Sequence, residues 1–201
     1  MKLVVAATGA SGAIYTQRLL DNLGGHELHF ISTRHAREVQ KLELGGVAAS
    51  VPDAPAEGRR DGGHYTGLLI PSGVKVYKED GSMFVPFVSG STPFDAMVII
   101  PASMGTVGRI ANGVSDTTIA RAADVFLKER RKLILVPREA PYNLIHLRNM
   151  ATLTEAGATI IPASPSFYGR QQTIGELVDT IVARVLDHLG ISHGLAKRWQ
   201  D

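Results

Sequence analysis

The sequence predicts one three-layer α/β domain with a mainly parallel sheet and helices on both faces. Two observations carry this: short, continuous apolar runs alternate with segments of helical periodicity, and small or hydroxylated residues stand where those runs end. A strand covered on both faces shows no polar alternation, which is the signature of a parallel sheet between helical layers. A chain of 201 residues with 44% hydrophobic content suits a single domain spanning 1–201.

Taken in order, Leu3 to Ala7 is a short buried-strand pattern, and Gly12 to Leu23 carries Ile14, Leu19, Leu20 and Leu23 at helical spacing. Glu27 to Ile31 reads as a second strand, and Arg34 to Leu44 as a helix that ends in Gly45-Gly46. From Ser50 to Pro93 the periodicity fades into Pro, Gly, Asp and Ser, leaving a hairpin expected between Val74–Tyr77 and Met83–Val85 about Asp80-Gly81. Ala96 to Ile100 is a third apolar strand, followed by helices through Val107 to Ala111 and from Ser115 to Arg130. A strand Leu133–Val136, a helix Leu144–Ala156, a strand at Thr159–Ile161 and a helix Ile174–Leu189 complete the series.

Composition removes several function classes. Net charge is +2 with basic residues spread along the chain, so the sequence pI of about 9.0 marks no nucleic-acid stripe. The absence of cysteine excludes disulfides, thiolate nucleophiles and Cys-ligated metal centres. No apolar run approaches the roughly 20 residues of a membrane span, and Met1-Lys2 leads straight into a strand, so a cytoplasmic protein is expected. The seven histidines form no metal-binding spacing, and no required metal is expected. His146, on the apolar side of its helix, reads as a core or subunit-contact residue.

Four strand exits carry polar residues: Thr8–Gly12, Ser32-Thr33, Pro101–Thr106 and Pro137–Glu139. In parallel sheets ligands bind beyond the carboxyl ends of the strands, so these loops should converge on one site. The glycine turn Thr8–Ala13 opens a helix whose free N–H groups and dipole attract phosphate, although the same turn also packs helix on strand. It lacks the Gly-Lys-Ser/Thr of a P-loop, and Ser32-Thr33 replaces the acidic residue that holds a ribose diol, so a mononucleotide fits better than a dinucleotide. Ser103 serves as well for a helix cap as for a ligand contact. Arg121, Asp124 and Lys128 share one helical face, which is either solvated or part of an anion site that Tyr168 and Arg184 complete.

Together, Thr8–Ala13, Pro101–Thr106 and the run Arg121–Pro141 resemble the UbiX-like flavin prenyltransferases, long labelled aromatic-acid decarboxylases. The likeness continues through Asn143–Met150, Pro165–Tyr168 and Arg184 to Arg198-Trp199, omitting about Gly45 to Ser89. The resemblance implies a flavodoxin/Rossmann-like fold and a homo-oligomer, commonly a dodecamer. It also implies transfer of a dimethylallyl group from dimethylallyl phosphate to N5 and C6 of reduced FMN. The product, prenylated FMN, serves UbiD-type decarboxylases.

Carried over by position, Gly9, Ala10, Ser11, Thr33, Ser103, Met104, Gly105, Thr106 and Arg138 match FMN contacts. Arg121, Lys128, Tyr168 and Arg184 match phosphate contacts of the donor. Glu43 matches an acidic residue beside the prenyl group, and Glu139 with Ser11 a polar pair at the flavin's reacting edge. Ser11, Glu43, Lys128 and Glu139 are thus the expected catalytic set. Fixed cations stabilise a departing phosphate, which is consistent with metal-independent transfer. Two positions depart from the family: Ala102 replaces a frequent cysteine, and Met83, with Phe84, falls near an aromatic residue that covers the prenyl pocket. A cysteinyl decarboxylase of similar fold is the alternative enzyme, and it requires a histidine beside the flavin; His26, His29 and His35 are not expected there. A non-catalytic carrier of prenylated FMN is the third reading.

Overall fold

The computed structural model describes residues 1–45, 67–79 and 83–196. Six strands form one all-parallel sheet in the order β3-β2-β1-β4-β5-β6. They are β1 (Lys2–Ala7), β2 (Glu27–Ser32), β3 (Lys75–Lys78), β4 (Ala96–Ala102), β5 (Lys132–Pro137) and β6 (Thr159–Ile160). The helices are α1 (Ala13–Asp21), α2 (Arg34–Leu44), α3 (Met104–Ala111), α4 (Thr118–Lys128), α5 (Leu144–Glu155) and α6 (Ile174–Leu189). Successive side chains of β1 divide between two cores: Leu3, Val5 and Ala7 face α1, α2 and α6, whereas Val4 and Ala6 face α3 and α4. The expected three layers are therefore present, and β2, α2 and α6 lie within a residue of the expected bounds. No helix among the described residues is long and apolar enough to cross a membrane.

The hairpin does not form. β3 instead pairs parallel to β2, with His29 opposite Lys75 and Ser32 opposite Lys78, while 83–85 forms no strand. The reason is local: Pro86 cannot donate to a ladder and starts a 3-10 turn, Pro86–Val88, that buries Phe87. The expected turn at Asp80-Gly81 and the tail Arg198-Trp199 lie outside the described residues. α4 is shorter than expected because the Thr117 hydroxyl caps it by accepting from Ala120 N, and the chain turns at Glu129. His146 proves to be a capping residue of α5, its ring accepting from Asn143 N while the Asn143 side chain accepts from His146 N. Leu144, Ile145 and Leu147 are left exposed on α5.

One polar chain pins the sheet edge. Buried His29 bonds the Tyr77 hydroxyl through Nδ1 (3.0 Å) and Glu27 Oε1 through Nε2 (3.1 Å). Phe87 and Phe94 stand edge-on to its ring. With Nε2–H donating to Glu27, Nδ1 accepts from Tyr77, so the neutral imidazole satisfies both partners. Burial pushes the His29 pKa down, against the opposing pull of the Glu27 hydrogen bond.

Because the folded pKa lies below the unfolded one, the fold binds fewer protons. His29's contribution is then complete above about pH 6.5, the ordinary histidine value, and is lost as pH falls from there toward the lowered folded pKa. Urea unfolding of the wild type and His29→Gln between pH 7.5 and 5.5 should show a shallower fall in midpoint for the variant. Equal slopes would remove His29 from this role.

Candidate functional site

All four polar strand exits lie on the carboxyl edge of the sheet. β1 and β4 are neighbours, but the chain leaves β1 into α1 on one face and β4 into α3 on the other. Connections that diverge from adjacent strands open a crevice, the switch point of a doubly wound sheet. One buried hydroxyl joins its two walls. Thr8 Oγ1 donates to Pro101 O (2.9 Å) and accepts from Ser103 N (2.6 Å), while Thr8 N donates to the same carbonyl (3.1 Å). One turn into α1, Thr16 Oγ1 donates to Ile100 O (2.6 Å).

The β1 loop is held in three ways. A Cβ on Gly9 would lie 2.7 Å from His35 Cβ, so α2's first turn packs directly on this glycine. Gly12 adopts φ +116 and caps α1 without a side-chain acceptor. That acceptor comes from the last turn of α2: Glu43 Oε2 receives Gly12 N (2.9 Å) and Ala13 N (2.7 Å). From the other side of the crevice, Arg138 Nε donates to Ser11 O (3.2 Å). The amides expected to attract phosphate at Gly12 and Ala13 are therefore taken by an internal carboxylate. This revises the reading of the glycine turn as a phosphate cradle, because a carboxylate satisfies the same dipole.

The β4 loop offers the opposite case. Ser103 Oγ caps α3 at Thr106 N and meets the Thr106 hydroxyl (3.0 Å), while a Cβ on Gly105 would meet only the Arg109 guanidinium at 3.6 Å. Space thus lies open over α3's first turn. At the β2 exit, Thr33 Oγ1 caps α2 at Ala36 N (2.9 Å). Thr33, Arg34, His35, Glu79, Thr117 and Thr118 line a cavity of about 410 Å³ there. The hydroxyls of Ser32 and Thr118 are buried beside this edge with no hydrogen-bond partner among the described residues. Glu139, exposed beside Arg138 at the β5 exit, accepts from Ala140 N (3.1 Å). The structure thus brings together Gly9, Ala10, Ser11, Thr33, Ser103, Met104, Gly105, Thr106, Arg138 and Glu139, with Glu43 behind the loop.

The four expected phosphate contacts are not brought together within one chain. Arg121, in the first turns of α4, pairs with Asp124 (3.2 Å) and borders an apolar groove formed by Met83, Phe84, Val85, Pro86 and Val88, which adjoins the β2-exit cavity at Met83. Lys128 ends α4 beside Glu129, at the amino edge of the sheet and so roughly 20 Å, one strand length, from the crevice. Arg184 pairs with Asp187 (3.1 Å) on α6, across the sheet from α4, and Tyr168 is 82% exposed. The sequence pattern placed Arg121 and Lys128 on one helix face correctly, but it could not show that the sheet stands between α4 and α6.

The Flavoprotein family model matches residues 1–186, and the chain belongs to that family. Flavin prenyltransferase UbiX of Methanocaldococcus jannaschii is 40% identical over 200 residues, covering 99% of this chain and 98% of that protein. A crystal structure of AnUbiX (PadA1) in complex with FMN and dimethylallyl pyrophosphate superposes with TM-score 0.84 at 36% identity, covering 100% of this chain and 97% of that one. A dodecameric FMN-dependent UbiX-like decarboxylase from Escherichia coli O157:H7 matches with TM-score 0.83 at 35% identity over 100% of both chains. Within the flavoproteins, the chain is a UbiX-like flavin prenyltransferase by family.

FMN suits the residues present. The open face over Gly105, the two unpartnered hydroxyls and the Arg138 guanidinium give a planar, phosphorylated ligand room, donors and a positive charge. His35 corrects one expectation: it lies against Gly9 at the crevice, two residues past Thr33 in α2's first turn. That offset from a strand exit was a usable signal, since a helix's first turn faces the same edge as the strand before it.

Replacing Thr8 by Val keeps the shape but strands Ser103 N–H and leaves Pro101 O with the backbone N–H of residue 8 as its donor. Loss of about 1–3 kcal/mol is expected in urea unfolding, together with weaker FMN binding in a fluorescence titration. Thr8→Ser should retain both properties, and a Val variant indistinguishable from wild type would show that the hydroxyl is dispensable.

Proposed function

We propose that the protein transfers a dimethylallyl group from dimethylallyl phosphate to reduced FMN, at N5 and then C6, yielding prenylated FMN. The observation that carries this reading is the crevice rim, where Arg138 from the β5 exit clamps the Ser11 carbonyl while the first turn of α3 at Gly105 lies open. FMN, when bound and reduced, supplies the nucleophilic ring. The chain's part is placement and charge: Ser103, Thr106 and Thr33 present hydroxyls and helix N-termini, and Arg138 offers a cation. Glu139 and Ser11 would hold the polar edge of the ring, and the released phosphate would serve as base for the proton lost from C6 and as acid for the alkene carbon that gains one as the ring closes. Guanidinium and ammonium groups stabilise the charge that develops as the allylic C–O bond breaks, a task a metal performs in other transferases.

Those cations must come from more than one copy of the chain. Exposed Tyr168 and Arg184 on one subunit can face Arg121 or Lys128, and the crevice, of another in a homo-oligomer such as a dodecamer. The exposed Leu144, Ile145 and Leu147 of α5 support such assembly. Prenylated FMN then passes to a UbiD-type decarboxylase in the cytoplasm.

Anaerobic incubation with reduced FMN and dimethylallyl phosphate should give a flavin heavier by one prenyl unit in mass spectrometry; an unchanged flavin mass would sink the reading. Dimethylallyl pyrophosphate run in parallel reports which donor is taken. Lys128→Ala and Arg184→Ala should each cost orders of magnitude in rate with FMN still bound. Co-assembled, the two variants should recover about a quarter of wild-type activity by random assortment, whereas no recovery would place both residues in one chain's site. His35 at the crevice favours one second reading, a cysteinyl decarboxylase; oxidative decarboxylation of a cysteinyl peptide would replace the proposal.

A further inference from the structure

Glu43 is the acidic residue expected to face the prenyl group, yet its carboxylate is engaged elsewhere. Oε2 accepts from Gly12 N at 2.9 Å and Ala13 N at 2.7 Å, and Oε1 from Gly12 N at 3.2 Å. The N-cap residue of α1 supplies no side-chain cap, because Gly12 holds that position in a left-handed conformation. Without Glu43, two amides at the positive end of a nine-residue helix would lose their acceptor. On the same turn, the Ser11 carbonyl is held by Arg138 across the crevice. Carboxylate on the N–H groups and guanidinium on the C=O fix the Ser11–Gly12 and Gly12–Ala13 peptide planes, directly after Ser11, whose exposed side chain forms the rim.

We infer that Glu43 is a positioning residue: it acts on the flavin through the Ser11–Ala13 turn, not by its charge on the allyl group. It also makes α1's dipole internally satisfied, so an entering phosphate meets no vacancy there and is directed to the other helix ends of the crevice. The role assigned to the turn rests on the prenyl-transfer reading only where transfer is measured; the FMN-binding consequence stands apart from it.

The two roles separate by substitution. Glu43→Gln keeps an oxygen that can accept from both Gly12 and Ala13 while removing the charge; Glu43→Ala removes the acceptor. FMN affinity, the visible spectrum of the bound flavin and single-turnover transfer rate are measured on the full-length protein for all three forms. A positioning role predicts that Ala weakens FMN binding about tenfold, which is about 1.4 kcal/mol, shifts the flavin spectrum and slows transfer in parallel. Gln should recover most of each. Normal FMN affinity and spectrum in both variants, with transfer lost equally in both, would overturn the inference in favour of a charge acting on substrate. Should the Ala variant fail to fold, Gln alone decides: transfer lost with FMN affinity intact overturns the proposal, and affinity and transfer moving together sustain it. If the wild type shows no transfer, the affinity and spectral comparison still decides what Glu43 does to the turn.

Discussion

The crevice depends on the Thr8 hydroxyl. A doubly wound sheet opens where connections leave adjacent strands in opposite directions, and that opening would have no fixed width if its two lips were not joined. Thr8 Oγ1 joins them with one donated and one accepted bond, to Pro101 O and from Ser103 N, at 1% exposure. At such burial these two bonds, with Thr8 N on Pro101 O and Thr16 Oγ1 on Ile100 O, hold the spacing between the Gly9–Gly12 loop and the α3 amino terminus. Gly9 to Ser11 sit on one lip and Ser103 to Thr106 on the other, with Thr33 and Arg138 entering from the strands that flank them.

Around this tie, charges are distributed by helix ends. α1's amino terminus is closed by Glu43, and α4's receives Glu79 at Ile119 N (3.4 Å). α3 and α2 are capped by the neutral hydroxyls of Ser103 and Thr33, which leave their dipoles uncompensated. Four helix ends on one edge are thereby sorted into two that already hold an anion and two that can attract one. This sorting gives direction to a ligand that carries a phosphate at one end and a planar ring at the other.

The edge strand β3 shows how a polar residue can organise an apolar region. His29 sits among Leu28, Phe30 and Ile31 in β2, and its two nitrogens reach Glu27 on its own strand and Tyr77 on the next. That bridge, with Phe87 and Phe94 packed edge-on, fixes where the chain emerges toward Glu79 and Met83. The sequence pattern marked this stretch as a hairpin because turn residues between short apolar runs are the local signature of one. The competing reason, an open parallel edge offering partners to β3, lies 46 residues away in the pairing of His29 with Lys75 and is invisible in a local window.

From the sequence alone came the alternation of strands and helices, the carboxyl-edge location of the polar exits and the family resemblance. These are properties of short segments: buried strands read as apolar runs, and capping or glycine residues mark where runs end. Tertiary structure decided which of those residues meet. Glu43 and Gly12 are 31 residues apart and Arg138 and Ser11 are 127 apart, yet each pair closes a hydrogen bond. Lys128 and Glu139 are near in sequence and lie at opposite ends of β5, because a strand between two residues separates them by its full length. Helix periodicity could put Arg121 and Lys128 on one face; only the sheet between α4 and α6 decided that Arg184 belongs to another surface.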